Sequence, residues 1–308
     1  METNLARLII VAVGLQLAPA AAGLGASIAG AQSSAPRTEL RVRSGPSMTI
    51  RVVRMGRHGA QPPLVLLSGW TIGIGVWSDV ADSLARDREV YLVESRSQGG
   101  SSLSLSANTP EDRAGDLARI IDTLRIRRPV VIAWSQGVQD LAAYVAQHGD
   151  SAFTASLMVD AMPSPGLSTL RDSPEFSRRI LDNLVTYQAH PREFARGMMS
   201  AIIGGPDSLA LRRELAERAL ITPVAVGVAM QISDLLGVDR STTRFTRPVL
   251  VVAADGPLTD DLREYAARSG ARFEQVKNAR HALFLDHRDR FLALVRQFSE
   301  EARAAGRR

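Results

Sequence analysis

The segment Pro129-Val-Val-Ile-Ala-Trp-Ser-Gln-Gly137 constrains the fold of this chain more than any other. Val130, Val131, Ile132 and Ala133 leave no polar position to face water, which is the pattern of a strand buried on both faces of a parallel sheet. The run stops at Ser135 and passes into a helix-like stretch through Leu141, Ala142 and Val145. Ala133 and Gly137 flank Ser135 at two positions' distance, one residue away from a G-x-S-x-G string. Small neighbours there let the backbone turn sharply from strand to helix around the serine.

The rest of the chain repeats the strand–helix alternation. Leu40–Arg43 and Met48–Val53 alternate in the β manner around Gly45-Pro46-Ser47 and predict an antiparallel hairpin. Leu64–Leu67 and Val90–Val93 are further strands, the first followed by a helix near 76–84 and the second by a helix beginning at Pro110. In that second helix Leu117, Ile120, Ile121 and Leu124 form one apolar face, with Thr109 as N-cap and Pro110 at the first position. Ala155–Val159 is a sixth strand, and the strand signal then vanishes from Pro163 to Thr246. Val249–Val252 resumes it, followed by a helix near Leu262 and a strand near Phe273. A last helix has an inner face of Phe291, Leu294, Val295 and Phe298. Such alternation predicts an α/β fold: a mostly parallel sheet covered by helices on both faces. The helical stretch 163–246 is then an insertion after the sixth strand, a cap over the carboxyl edge where ligands of such sheets bind.

The first thirty residues stand apart. Arg7, the apolar stretch from Leu8 to Gly30 and the small residues Ala29-Gly30-Ala31 predict an export signal over 1–31, with an uncleaved anchor as the alternative. The expected location is therefore secreted or periplasmic, with the core in 32–162 and 247–308. The chain has no cysteine, which excludes thiol catalysis, cysteine-ligated metal and disulfides. Its net charge of +5 rests on arginine, since Lys277 is the one lysine, and these arginines are interspersed with Asp and Glu. That is a solvated surface, not a nucleic-acid footprint.

Five segments in order carry a family resemblance: Leu66-Leu67-Ser68-Gly69-Trp70, Glu94-Ser-Arg-Ser-Gln-Gly-Gly-Ser101, Asp116-Leu117, Trp134-Ser-Gln-Gly137 and Ala279-Arg-His-Ala-Leu-Phe284. With them the mature chain resembles the α/β-hydrolase superfamily, in its capped esterase, lactonase and cofactor-free haloperoxidase-like branch. The resemblance implies that Ser135 is the nucleophile and His281 its base. It also implies an oxyanion hole made of the backbone N–H groups of Trp70 and Gln136. Of the other histidines, His58 lies near a loop, His148 ends the elbow helix, His190 is in the insertion and His287 lies in a polar run. The chain departs from the family pattern at the acid. Ala254 and Pro257 stand where the turn after the seventh strand would carry glycine and the carboxylate. Asp160, which ends the sixth strand, and Asp255 are the two candidates, with Asp160 preferred; Asp260 and Asp261 lie further out. Trp70 and Trp134 are expected to supply aromatic surface at the site, and Trp77 to pack in the core.

The expected activity is hydrolysis of a small-molecule carboxylic ester or lactone through an acyl-enzyme, with no metal and no cofactor. Perhydrolase, haloperoxidase-type or carbon–carbon bond hydrolysis on the same serine, or a catalytically silent binding protein, are the alternatives. Substrate identity and oligomeric state are not written in the sequence.

Overall fold

In the computed structural model, residues 36–306 apart from 173, 206 and 207 are described. The expected export signal over 1–31 lies outside the described residues. The chain opens with the hairpin β1 (Arg37–Arg43) and β2 (Thr49–Met55). Strand β3 (Leu64–Leu67) leads through a 3₁₀ turn at Ile74–Trp77 into α1 (Ser78–Leu84). Then follow β4 (Val90–Glu94), α2 (Pro110–Thr123), β5 (Val130–Trp134), α3 (Gln136–His148) and β6 (Ala155–Val159). Among the described residues five α-helices intervene: α4 (Ser168–Asp172), α5 (Pro174–Ala189), α6 (Pro191–Ile202), α7 (Leu209–Ala219) and α8 (Val224–Leu236). The series ends with β7 (Val249–Ala253), α9 (Thr259–Ser269), β8 (Arg272–Gln275), α10 (Leu283–Asp286) and α11 (Arg288–Ala305).

The eight strands form one sheet in the order β1-β2-β4-β3-β5-β6-β7-β8. β2 runs antiparallel to both its neighbours, and every later pair is parallel. The period of two along the strands splits the core. Val130, Ile132 and Trp134 of β5 pack with Trp77, Phe284 and Phe291 on the α1/α11 side. Val131 and Ala133 pack with Leu117, Val138 and Leu141 on the α2/α3 side. Helix α2 begins as its sequence predicts. The Thr109 hydroxyl accepts from Asp112 N–H, the Asp112 carboxylate accepts from Thr109 N–H, and Pro110 occupies the first turn.

The elbow between β5 and α3 depends on close approach. Ser135 holds φ 55°, ψ −119°, which an L-residue adopts only when its surroundings fix it. A Cβ on Gly137 would lie 2.8 Å from Leu67 Cβ and 3.0 Å from Leu67 O, so glycine lets α3 start against β3. Gly69 is closely but less tightly placed, since a Cβ there would meet Trp134 at 3.1 Å and Ser135 Cβ at 3.3 Å. Gly137→Ala forces a backbone shift costing about 2–3 kcal/mol, more than alanine's helix preference of about 1 kcal/mol returns. Thermal unfolding of that variant is expected to fall by roughly 2–8 °C; an unchanged or higher Tm would contradict the packing.

Candidate active site

Three strand ends meet at the carboxyl edge. Ser135 follows β5 and its N–H donates to Val159 O at 3.3 Å; Val138 N–H donates to Ser135 O at 3.0 Å, opening α3. Asp160 follows β6 in the left-handed region at φ 47°. Its N–H donates to Val252 O on β7, and its Oδ1 accepts from Ala254 N–H at 2.8 Å. Its Oδ2 lies 2.8 Å from His281 Nδ1. Ser135, Asp160 and His281 are all buried.

The loop carrying His281 is fastened on several sides. Trp134 Nε1 donates to His281 O at 2.9 Å, and the indole lies 5.3 Å from the imidazole, centroid to centroid. Arg280 N–H donates to Asp286 Oδ2, and Ala282 N–H donates to Ile202 O at the end of α6. The imidazole thus has one nitrogen engaged by Asp160, which leaves Nε2 for other partners.

The remaining candidates separate cleanly. Asp255 accepts from Gln275 Nε2 at 2.6 Å and from Asn278 N–H, and it makes no hydrogen bond to His281. Asp260 and Asp261 open α9. His58 is exposed beside Glu89, His148 lies against Tyr144, His190 immediately precedes α6, and His287 precedes α11 with Nε2 at 3.1 Å from Asn278 O. Gln136 is the first residue of α3, and Trp70 follows Gly69, which lies close against Trp134 and Ser135.

Trp134 corrects the expectation that it offers surface at the site. It is fully buried and packs edge-on against Trp77 and Phe284, because strand alternation turns it to the α1/α11 side. Trp70 instead ties the loop after β3 to the insertion. Its Nε1 donates to Gly227 O at 2.8 Å, and its ring meets Tyr187 and Phe194.

A polar cluster beside the elbow went unread in the sequence. Arg113 of α2 donates to Asp140 of α3 at 2.7 Å and to Asp234 of α8, and all three are buried. Asp234 Oδ2 accepts from Gln136 Nε2 at 2.5 Å, and Gln136 Oε1 accepts from Gln98 Nε2 at 2.8 Å. Burial pushes the Asp140 carboxyl up to about 6 despite the pull of Arg113, and it raises Asp234 as well. The one sequence signal was positional: Arg113 lies on the apolar stripe of Leu117 and Ile120, where a charge needs a buried partner. Among the described residues no group of His, Asp and Glu could hold a metal ion.

Asp140 contributes to the pH dependence of stability. A carboxyl raised in the fold contributes stability that is full below about pH 4 and lost as pH rises through about 6. Asp140→Asn removes that dependence, so between pH 4 and 7 the variant should gain on the parent by on the order of 3 kcal/mol in denaturant unfolding. A stability difference that does not change with pH would contradict it.

The comparisons with known proteins agree with this architecture. The chain is 26% identical over 259 residues to a pimeloyl-[acyl-carrier protein] methyl ester esterase of Nitrosospira multiformis, covering 78% of this chain and 95% of that one. The esterase EaEST from Exiguobacterium antarcticum superposes with a TM-score of 0.76 at 16% identity, covering 85% of this chain and all of that one. A bromoperoxidase from Bacillus anthracis gives the same TM-score, identity and coverage. At such identities the two solved structures speak for the fold alone. The family model that matches spans residues 64–294, and this chain belongs to the alpha/beta hydrolase family.

Proposed function

We propose that the protein is a serine hydrolase that cleaves a carboxylic ester or lactone of a small molecule through an acyl-enzyme. The observation that carries this reading is the 2.8 Å contact of His281 Nδ1 with Asp160 Oδ2 beside a serine held at positive φ. In this reading Asp160 keeps the His281 proton on Nδ1 and stabilises the imidazolium that forms, while Nε2 takes the proton of Ser135 Oγ. The alkoxide attacks the ester carbonyl, and the oxyanion is met by the N–H groups of Gln136 and Trp70. His281 then protonates the leaving alcohol, and water activated by the same nitrogen releases the acid. The sequence similarity to a methyl ester esterase supports this choice of substrate class.

The insertion 163–246 acts as the cap of this reading, and the substrate reaches Ser135 between it and the carboxyl edge. Its anchoring to the site supports that role: Trp70 to Gly227 from one side, and Ala282 to Ile202 from the other. Residues 1–31 serve export, so N-terminal sequencing of exported protein should begin at Gln32; an intact Met1 would overturn that.

Ser135→Ala should abolish turnover of short-chain p-nitrophenyl esters, and full activity in that variant would refute the mechanism. Asp160→Asn puts the imidazole in the wrong tautomer and should lower kcat by about 10³–10⁴. Asp255→Asn should leave kcat within about twofold, since its carboxylate only braces Gln275 and Asn278. The reverse ranking of the two aspartates would reassign the acid.

A further inference from the structure

Burying charge at the junction of α2, α3 and α8 is not a requirement of stability. Well-packed apolar side chains of similar volume commonly replace buried ion pairs without loss. Yet Arg113, Asp140 and Asp234 are all buried there, each at 3% exposure. Arg240, itself buried, adds a second cation to the cluster and is paired with Glu111 at the start of α2.

Among the described residues the cluster reaches the elbow through a hydrogen bond to Gln136. This side chain is used at both ends: Oε1 accepts from Gln98 in the loop after β4, and Nε2 donates to Asp234 in α8. Gln136 is also the first residue of α3 and directly follows Ser135. Asp234 in turn is held by Arg113, which also donates to Asn108 O and to Asp140 one turn further along α3. A carboxylate 98 positions away in sequence is thereby fixed against the residue that follows the serine.

We propose that Asp234 is a positioning residue: through the Gln136 amide it fixes the first turn of α3, aims the Gln136 N–H at the oxyanion, and couples that donor to the helical insertion. The inference rests on the hydrolytic reading for its catalytic part, while the fixing of the elbow does not. An N–H donor in an oxyanion hole acts on the transition state, so loosening it lowers kcat more than it raises KM.

The test is a double-mutant cycle with Asp234→Asn and Gln136→Ala, read by ester kinetics and by hydrogen exchange of the peptide covering 134–140. Each single variant should lower kcat about tenfold with KM within about twofold, and exchange at the elbow should rise about tenfold. The double variant should be no worse than either single one, because both changes cut the same link. Kinetic effects that multiply in the double variant, or a kcat within twofold of the parent in Gln136→Ala, would overturn the proposal. Gln136→Ala strands no charge, because Arg113 still holds Asp234, so it decides the matter even where Asp234→Asn does not fold. Should Ser135→Ala retain ester turnover, the hydrolytic reading fails, and unchanged exchange at the elbow in Gln136→Ala separately rejects the link to Asp234.

Discussion

The carboxylate of Asp160 is the interaction on which the carboxyl edge is built. It ends β6 in a left-handed conformation, receives the first N–H beyond β7 on one oxygen and meets His281 on the other. A single side chain therefore joins two strand ends and, with Trp134 and Asp286, helps to orient the histidine loop. Because both oxygens are engaged, the carboxylate is itself fixed, and through it one nitrogen of the imidazole is held in place. The turn after β7, relieved of that duty, carries Ala254 and Pro257 and uses Asp255 to brace Gln275 and Asn278.

The elbow depends on the same edge from the other side. Ser135 sits at positive φ because β3 and α3 close on it through Gly69 and Gly137, and because its N–H is taken by the end of β6. Trp134 supports the arrangement from within the core: its indole N–H holds the His281 carbonyl while its ring packs on Trp77 and Phe284. Tight packing around a strained residue converts the stability of the sheet into a fixed position for one hydroxyl.

The eight strands and the helices against the sheet were legible because buried parallel strands read as unbroken apolar runs and the helices show clear faces. The pairing of Asp160 with His281 was only half legible. Two aspartates end neighbouring strands, and which of them meets the histidine depends on backbone geometry at the edge, not on residue type. Trp134 directly precedes Ser135, yet the period of two sets it on the face of Val130 and Ile132, inside the core. The Arg113–Asp140–Asp234 cluster was hidden because its members lie on three helices, separated by 27 and 121 positions from Arg113. No local pattern encodes such a meeting. A charge on the apolar stripe of α2 is its only trace.

The central claim is that Ser135 is a nucleophile activated by the His281–Asp160 pair. Its most direct test is peptide mass spectrometry of the folded protein after reaction with a fluorophosphonate. The account predicts one covalent adduct, on the peptide that carries Ser135, formed far more slowly when His281 is replaced by alanine. No adduct, or an adduct on a different residue, would contradict it.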